Sequence, residues 1–212
     1  MSLTVWPAWL LPSTYRLEVM PNTLSGGRSN YDRSEQIIAL PGARWQARLT
    51  FRGLDRAEHR EAAAFIAAQQ GRVGIFRWSP PAMPPRGTWV ADAALPRIDG
   101  ATQTGRALQL KGLLASRPAV FKPGDLLSFN DLTGRMRLHK VLGTSGLLAA
   151  ISTDASGRAG MLIAPPLRRS PADNTLLEWA PSGTFRLARD SNPFEYAEGM
   201  YGDVTVELEE VL

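Results

Sequence analysis

Three aspartates in turn-rich segments are the residues best suited to chemistry: Asp125, Asp131 and Asp154. Two carboxylates about 5–10 Å apart can hydrolyse a glycosidic bond, one as an acid and the other as a base or nucleophile. Aspartate beside glycine is also the ordinary residue of tight turns in β proteins, because its side chain bonds the nearby backbone. We favour the turn interpretation, so the sequence predicts no catalytic residue and no enzyme.

The two histidines, His59 and His139, are far apart, and neither has a second ligand at metal-binding spacing. His59 falls among charged residues in the first turn of a predicted helix, so we expect it to be solvated, whereas His139 lies in a predicted strand. Asp154 and Ser156 lack the dense acidic spacing of a calcium loop. The glycines form no dinucleotide or phosphate-binding motif. The sequence therefore predicts no metal and no cofactor.

The composition is that of an ordinary globular protein. The 212 residues are 44% hydrophobic and 21% charged, and the absence of cysteine excludes disulfides, thiolate zinc sites and a cysteine nucleophile. The net charge of +4 comes mainly from scattered arginines, without the basic segment that a nucleic-acid binder concentrates. No apolar run approaches the roughly 18–20 residues of a membrane span. Pro7 and Pro12 interrupt the N-terminal apolar stretch, so no signal peptide is predicted.

The elements that position these residues are mostly short strands, since 16 prolines and 19 glycines punctuate the chain. The clearest strand is Arg44–Arg52, in which Trp, Ala, Leu and Phe alternate with polar residues. A single helix is predicted over about residues 55–70. Asp55 and Glu58 form a capping box at its start, and Gly71 ends it in a left-handed conformation.

Segments on either side of the predicted helix favour turns and strands. Pro21–Arg28 contains Asn and two glycines and predicts a turn. Thr88–Ala91 predicts a strand after the proline-rich loop Ser79–Gly87. The polar stretch Leu95–Thr104 indicates a domain boundary. About five or six short strands without a helix follow it, which is typical of a small β-barrel.

Four large apolar residues lie in proline-rich, irregular segments: Trp6, Trp9, Met83 and Trp89. Large apolar side chains on stiff, extended loops are costly to leave in water, so they often contact a partner. We interpret these four as candidate subunit-interface residues. The alternative is that they dock on their own domain.

The segment Pro41–Trp78 reads PGARWQARLTFRGLDRAEHREAAAFIAAQQGRVGIFRW. In the order and spacing of its motifs it resembles tail proteins of long-tailed bacteriophages and gene transfer agents. In that family a Gly-x-x-Arg-Trp strand leads into a single helix, which ends in Gly-Arg and returns as an aromatic strand. Here one residue fewer, Ala43 alone, separates the glycine from Arg-Trp. Lys122–Arg168 contains KPGDLLSF, RMRLHKVL and SGRAGMLIAPPLR, in which a Pro-Gly-Asp turn precedes a barrel strand and Pro-Pro-Leu-Arg ends the module. Together these stretches cover about two fifths of the chain.

The resemblance is to distal tail proteins, and it implies a mainly β (α+β) fold. Residues 1–95 and 178–212 are expected to form a β-sandwich ring domain with one helix, and residues 96–177 an inserted small β-barrel. The implied assembly is a homo-oligomeric ring, a hexamer, at the tail tip. Its implied partners are the tail-tube protein, the tail hub protein and receptor-binding or tail-fibre proteins, with no membrane and no specific nucleic acid. The subunit would assemble in the host cytoplasm and reside in the virion.

The residues leave other functions open. Exposed tryptophans together with loop aspartates also suit a carbohydrate-binding or cell-wall-degrading module of a tail tip. A tube terminator or a neck ring is a further alternative, which differs from a tail-tip ring only in its position along the tail.

Overall fold

The protein is mainly β. The computed structural model describes residues 4–144, 148–192, 194, 203–212 and the backbone at 196–197 and 200–201. About 40% of the chain is strand and 10% is helix, and one sheet curls into a half-barrel, which confirms the mainly β class. No helix in these ranges is long and apolar enough to cross a membrane.

The described ranges contain two α-helices, fifteen strands and one 3-10 turn, Gly71–Val73. In chain order the helices and strands are β1 (Thr4–Val5), β2 (Thr14–Met20), β3 (Thr23–Arg28), β4 (Glu35–Ala39), β5 (Arg44–Phe51), α1 (Arg56–Ala68), β6 (Phe76–Trp78), α2 (Thr88–Ala91), β7 (Arg97–Ile98), β8 (Gly105–Lys111), β9 (Leu126–Asn130), β10 (Met136–Gly143), β11 (Ala159–Leu167), β12 (Gly183–Leu187), β13 (Tyr196–Ala197), β14 (Met200–Tyr201) and β15 (Val204–Glu210).

A six-stranded sheet joins both ends of the chain in the order β1-β6-β12-β15-β5-β2. Strand β5 lies between β2 and β15, with Ala47 opposite both Leu17 and Leu208. Because side chains alternate across a strand, one face of this sheet is apolar and the other carries polar residues. The apolar face and α1 share one hydrophobic cluster.

A five-stranded antiparallel sheet follows the order β7-β8-β11-β10-β9, and all its strands lie between residues 97 and 167. Its core forms a second hydrophobic cluster, which also includes Trp89 and Leu177. Leu126 and Leu138 of this sheet belong instead to the cluster of the six-stranded sheet. The clusters therefore follow the predicted division of the chain only in part, and the division into two domains stays a prediction.

Helix α1 begins as the sequence predicts. The Asp55 side chain accepts from the backbone N–H of Ala57 and Glu58, and the Glu58 side chain accepts from the Asp55 N–H, which completes the capping box. Gly71 has the expected positive φ of 66°. His59 is buried rather than solvated, because it lies on the core-facing side of α1 with Ala62 and contacts Phe194 edge-on.

Two predicted elements are wrong. Thr23–Arg28, expected to be a turn, is strand β3, because it pairs with β4 in a separate two-stranded sheet. Thr88–Ala91, expected to be a strand, is helix α2, so the single-helix prediction is also wrong. The Thr88 backbone N–H donates to Ala119 O, and the Thr88 hydroxyl donates to Pro118 O. These two bonds attach the start of α2 to the segment before β9. The single helical turn places the Trp89 side chain in the second cluster. The free energy gained by burying Trp89 exceeds the weak intrinsic preference of residues 88–91 for a strand.

Trp45 of β5 contacts the five-stranded sheet at Leu138 and Lys140 of β10. It is fully buried, its indole N–H donates to Leu138 O at 2.6 Å, and the Lys140 ammonium lies 5.3 Å from its ring centroid. One side chain therefore fills core volume and satisfies a backbone acceptor of the neighbouring sheet.

We expect Trp45→Ala to lower the free energy of unfolding by about 3–5 kcal/mol, because it leaves a large cavity and an unpaired carbonyl. Urea unfolding followed by circular dichroism measures the change. Tyr31→Ala is the control, since Tyr31 is fully exposed, and it should change stability by less than about 0.5 kcal/mol. Similar losses in both variants would contradict this assignment.

Candidate functional site

The four predicted interface residues divide into two buried and two exposed side chains. Trp6 lies in the core, with its ring 5.3 Å from Phe65 and 6.1 Å from Phe51. Trp89 is buried against Phe121. Neighbouring aromatic side chains of the same chain cover both, and for Trp89 that neighbour, Phe121, belongs to the segment predicted to form the other domain. Trp9 and Met83 remain at the surface, with 43% and 42% of their area exposed.

Trp9 lies in the N-terminal segment that forms one wall of an open apolar groove of about 400 Å³. Val5 and Leu11, on the same segment, are also largely exposed. Arg77 and Glu178 form an ion pair on the groove wall. The groove thus combines an apolar floor with a single charged pair, which is typical of a surface that contacts another molecule.

Met83 lies in the proline-rich loop beside a second groove of about 440 Å³. Arg86 crosses this groove to donate to the Asp125 carboxylate at 2.9 Å. Asp125 also accepts from the Lys122 backbone N–H at 2.9 Å, which closes the Pro-Gly-Asp turn. This aspartate therefore holds the loop against the turn before β9.

The other two candidate aspartates also stabilise turns. Asp131 accepts from the backbone of Thr133 and Arg135 and from the Arg137 guanidinium. Although burial alone would raise the pKa of Asp131, hydrogen bonds from Thr133 and Arg137 hold it below its ordinary value. Hydrogen bonds from the Arg158 and Ser156 amides likewise lower the pKa of Asp154. A glycosidase acid needs a raised pKa, so these two environments do not suit that role.

The hairpin of β3 and β4 is the most exposed apolar element in the described part of the chain. Every residue of both strands is exposed. Leu24, Ile37 and Ile38 are 57%, 60% and 49% exposed, and Leu24 lies directly opposite Ile38. The sequence analysis missed this surface because it assigned β3 to a turn. The available hairpin signal was the turn-forming run Ser29–Asp32 shortly before the strand-like segment Glu35–Leu40.

A buried ionic junction connects the end of β15 to the other elements. Glu210 is buried, and its carboxylate accepts from the Trp45 backbone N–H at 3.2 Å and from Arg168 at 3.3 Å. Arg137 lies 3.9 Å from the same carboxylate and donates to Val211 O. Burial raises the pKa of Glu210, and the charges of Arg168 and Arg137 offset part of that rise. In the sequence, Glu210 continues the inward phase of Val204, Val206 and Leu208, a signal that could have revealed it.

His139 borders a small cavity of about 20 Å³ beside this junction, which is room for about one water molecule. Its Nδ1–H donates to Pro165 O at 2.9 Å, so in the neutral ring Nε2 is an acceptor. Burial lowers the pKa of His139 to about 4, and the nearby charges of Arg168 and Arg137 act in the same direction. The Pro165 carbonyl opposes this shift only in part. His139 is therefore a neutral core residue above this pH.

Comparison with known proteins adds no family to these observations. No protein-family model matches the chain, and no curated protein is significantly similar to it. Within the described residues, no group of three or more His, Cys, Asp or Glu side chains lies close enough to hold a metal ion.

We expect Glu210→Ala to lower the free energy of unfolding by about 3–5 kcal/mol, because it leaves two guanidinium groups without their buried carboxylate. Chemical unfolding measures the loss. Glu18→Ala removes an ion pair with Arg16 at the surface and should cost about 0.5 kcal/mol or less. Equal losses would show that the junction contributes nothing beyond a surface pair.

We expect stability to fall between about pH 6.5 and pH 4 through His139. The unfolded chain protonates this ring near its ordinary pKa of 6.5, whereas the folded protein protonates it only near 4. The unfolded state then binds more protons, so acid favours it by about 3 kcal/mol over this range. Unfolding curves from pH 7 to pH 4 measure the slope. His139→Gln should reduce the slope, and an unchanged slope would contradict this prediction.

Proposed function

We propose that the chain is a structural subunit of a bacteriophage tail tip, a distal tail protein that forms a ring. In this proposal the ring joins the tail tube to the tail hub and to receptor-binding or tail-fibre proteins. Residues 1–95 and 178–212 form a β-sandwich ring domain, and residues 96–177 form an inserted small barrel. The motif order over Pro41–Trp78 and Lys122–Arg168 supports the class of protein.

The exposed hairpin of β3 and β4 is the observation that carries the proposal. A two-stranded hairpin is marginally stable in water by itself. Here about half of each apolar side chain is exposed, and both strands have a free outer edge within the described structure, because they form a sheet of their own. Exposed apolar edges promote aggregation in a monomer, whereas a neighbouring subunit in a closed ring would cover them. The hairpin therefore favours a protein that works as an assembly.

The turn roles of the three aspartates also favour a structural function over a hydrolytic one. Asp125 and Asp131 accept from arginine side chains, and Asp154 accepts from backbone amides. Carboxylates held in this way stabilise loops and are poorly placed to exchange protons with a substrate.

We expect purified protein to have a mass about six times that of its 23.2 kDa chain, with rings visible by negative-stain microscopy. Ile38→Lys should shift the mass toward monomer, because a charge on the hairpin opposes burial against a neighbour. Static light scattering measures both. The matched control is Leu132→Lys, which also adds a charge at an exposed leucine but lies in the turn after β9.

A monomer at high concentration that binds neither tail-tube nor hub protein would refute the proposal. Retention of the ring in Ile38→Lys would refute the role of the hairpin. The carbohydrate-binding alternative depends on Trp9, whose side chain is 43% exposed. Binding to cell-wall glycans that Trp9→Ala abolishes, in a protein that stays monomeric, would favour that alternative.

A further inference from the structure

Three guanidinium groups converge on one carboxylate on the polar face of the six-stranded sheet. Arg186 lies directly opposite Glu209 across the β12–β15 pair and donates to it at 2.6–2.7 Å. Arg44 reaches the same carboxylate from β5 at 3.2 Å, and Arg72 reaches it from the turn after α1 at 3.3 Å. We call these four residues the Glu209 cluster. Its carboxylate is buried, while 30% to 48% of each arginine side chain is exposed.

The residues around the Glu209 cluster leave it positively charged. Arg189 pairs with Glu207 at 2.8 Å, and Asp190 accepts from the Arg72 backbone N–H. Arg48 lies opposite both Glu207 and Arg16 in the strand register, and it has no ion pair within the described residues. Among the described residues, and with Arg48, Arg189 and the Arg16–Glu18 pair included, six guanidinium groups accompany four carboxylates on or beside this face, an excess of two positive charges. Like charges placed this close repel one another unless an anion lies between them.

The surrounding arginines also change the pKa of Glu209. Burial alone would raise the pKa of Glu209, but hydrogen bonds from Arg186 and the charge of Arg44 lower it below its ordinary value. The carboxylate is thus already ionised and fully engaged. The remaining guanidinium donors of Arg44 and Arg72 are available to a second anion, since these side chains are 38% and 48% exposed.

We propose that the Glu209 cluster binds carboxylate side chains of an acidic partner protein. The planar guanidinium fork matches a carboxylate through two parallel hydrogen bonds. Glu18 and Glu207 lie among the arginines on the same face and interrupt the positive surface. A nucleic-acid backbone needs a continuous basic track, so this pattern fits a protein surface with discrete acidic groups better. The inference rests on the proposed function for the identity of the partner, an acidic protein in the same assembly.

The test uses a fluorescein-labelled peptide of glutamates as the probe, with the full-length protein, and measures binding by fluorescence anisotropy at several salt concentrations. Arg44→Gln and Arg72→Gln should each weaken binding about tenfold, the usual effect of losing one charge-assisted hydrogen bond. Arg106→Gln is the matched control, because it removes the same charge from an exposed position on β8, in the other sheet. It should weaken binding by about twofold or less, through net charge alone.

Equal losses in Arg72→Gln and Arg106→Gln would overturn the inference. So would tighter, Arg72-dependent binding of an oligothymidine of the same length, which would assign the cluster to nucleic acid.

Thermal unfolding identifies variants that fail to fold, and Arg72→Lys, which keeps the charge, should retain part of the binding. If Arg72→Gln lost the ring mass, the inference would be overturned, because the result would indicate that this face binds another copy of the chain. If the wild-type protein were monomeric and still bound the peptide specifically, the ring proposal would be refuted and the carboxylate-binding site would be supported.

Discussion

Glu210 lies at the end of the last strand with its buried carboxylate between the Trp45 amide and two guanidinium groups. Removing an ionised carboxylate from water is costly, so this position is tolerable only while its partners stay in place. Those partners come from β5, from β10 and from Arg168, the residue after β11. The C-terminal strand therefore fixes both sheets at once: Arg137 also bonds Val211 O, and Arg168 also bonds Ala43 O. Register errors in β15 would separate these charges.

The neighbouring Glu209 points to the opposite face, because successive side chains alternate across a strand. The two consecutive glutamates therefore bind arginines in two different environments, one enclosed and one partly exposed. On the inner face Glu210 is enclosed with Arg137 and Arg168, and its role is to join the sheets. On the outer face Glu209 accepts from arginines whose side chains are still partly exposed to solvent. The β3–β4 hairpin adds an exposed apolar surface to this polar one, so the molecule presents two unlike surfaces.

Local features of the sequence were sufficient for several elements. Asp55 and Glu58 specify the start of α1 because the capping box needs only neighbouring residues. The alternation in β5 identified a half-buried strand whose inward positions include Trp45. Asp125, Asp131 and Asp154 were correctly interpreted as turn residues. In the interface prediction Trp9 and Met83 lie at the surface, whereas Trp6 and Trp89 do not, because irregular segments give no information on which side they face.

The sequence by itself determined the mainly β class, the position of the long helix and the absence of cysteine chemistry, since periodicity and composition are local properties. Only the tertiary structure decided that β3 is a strand, because its partner β4 supplies the hydrogen bonds. It also decided that His59 and His139 are buried and that Glu209 and Glu210 form ion pairs with arginines from distant segments. Burial and charge pairing depend on residues far apart in the chain, such as Arg44 and Glu209, which meet only once β5 and β15 pair.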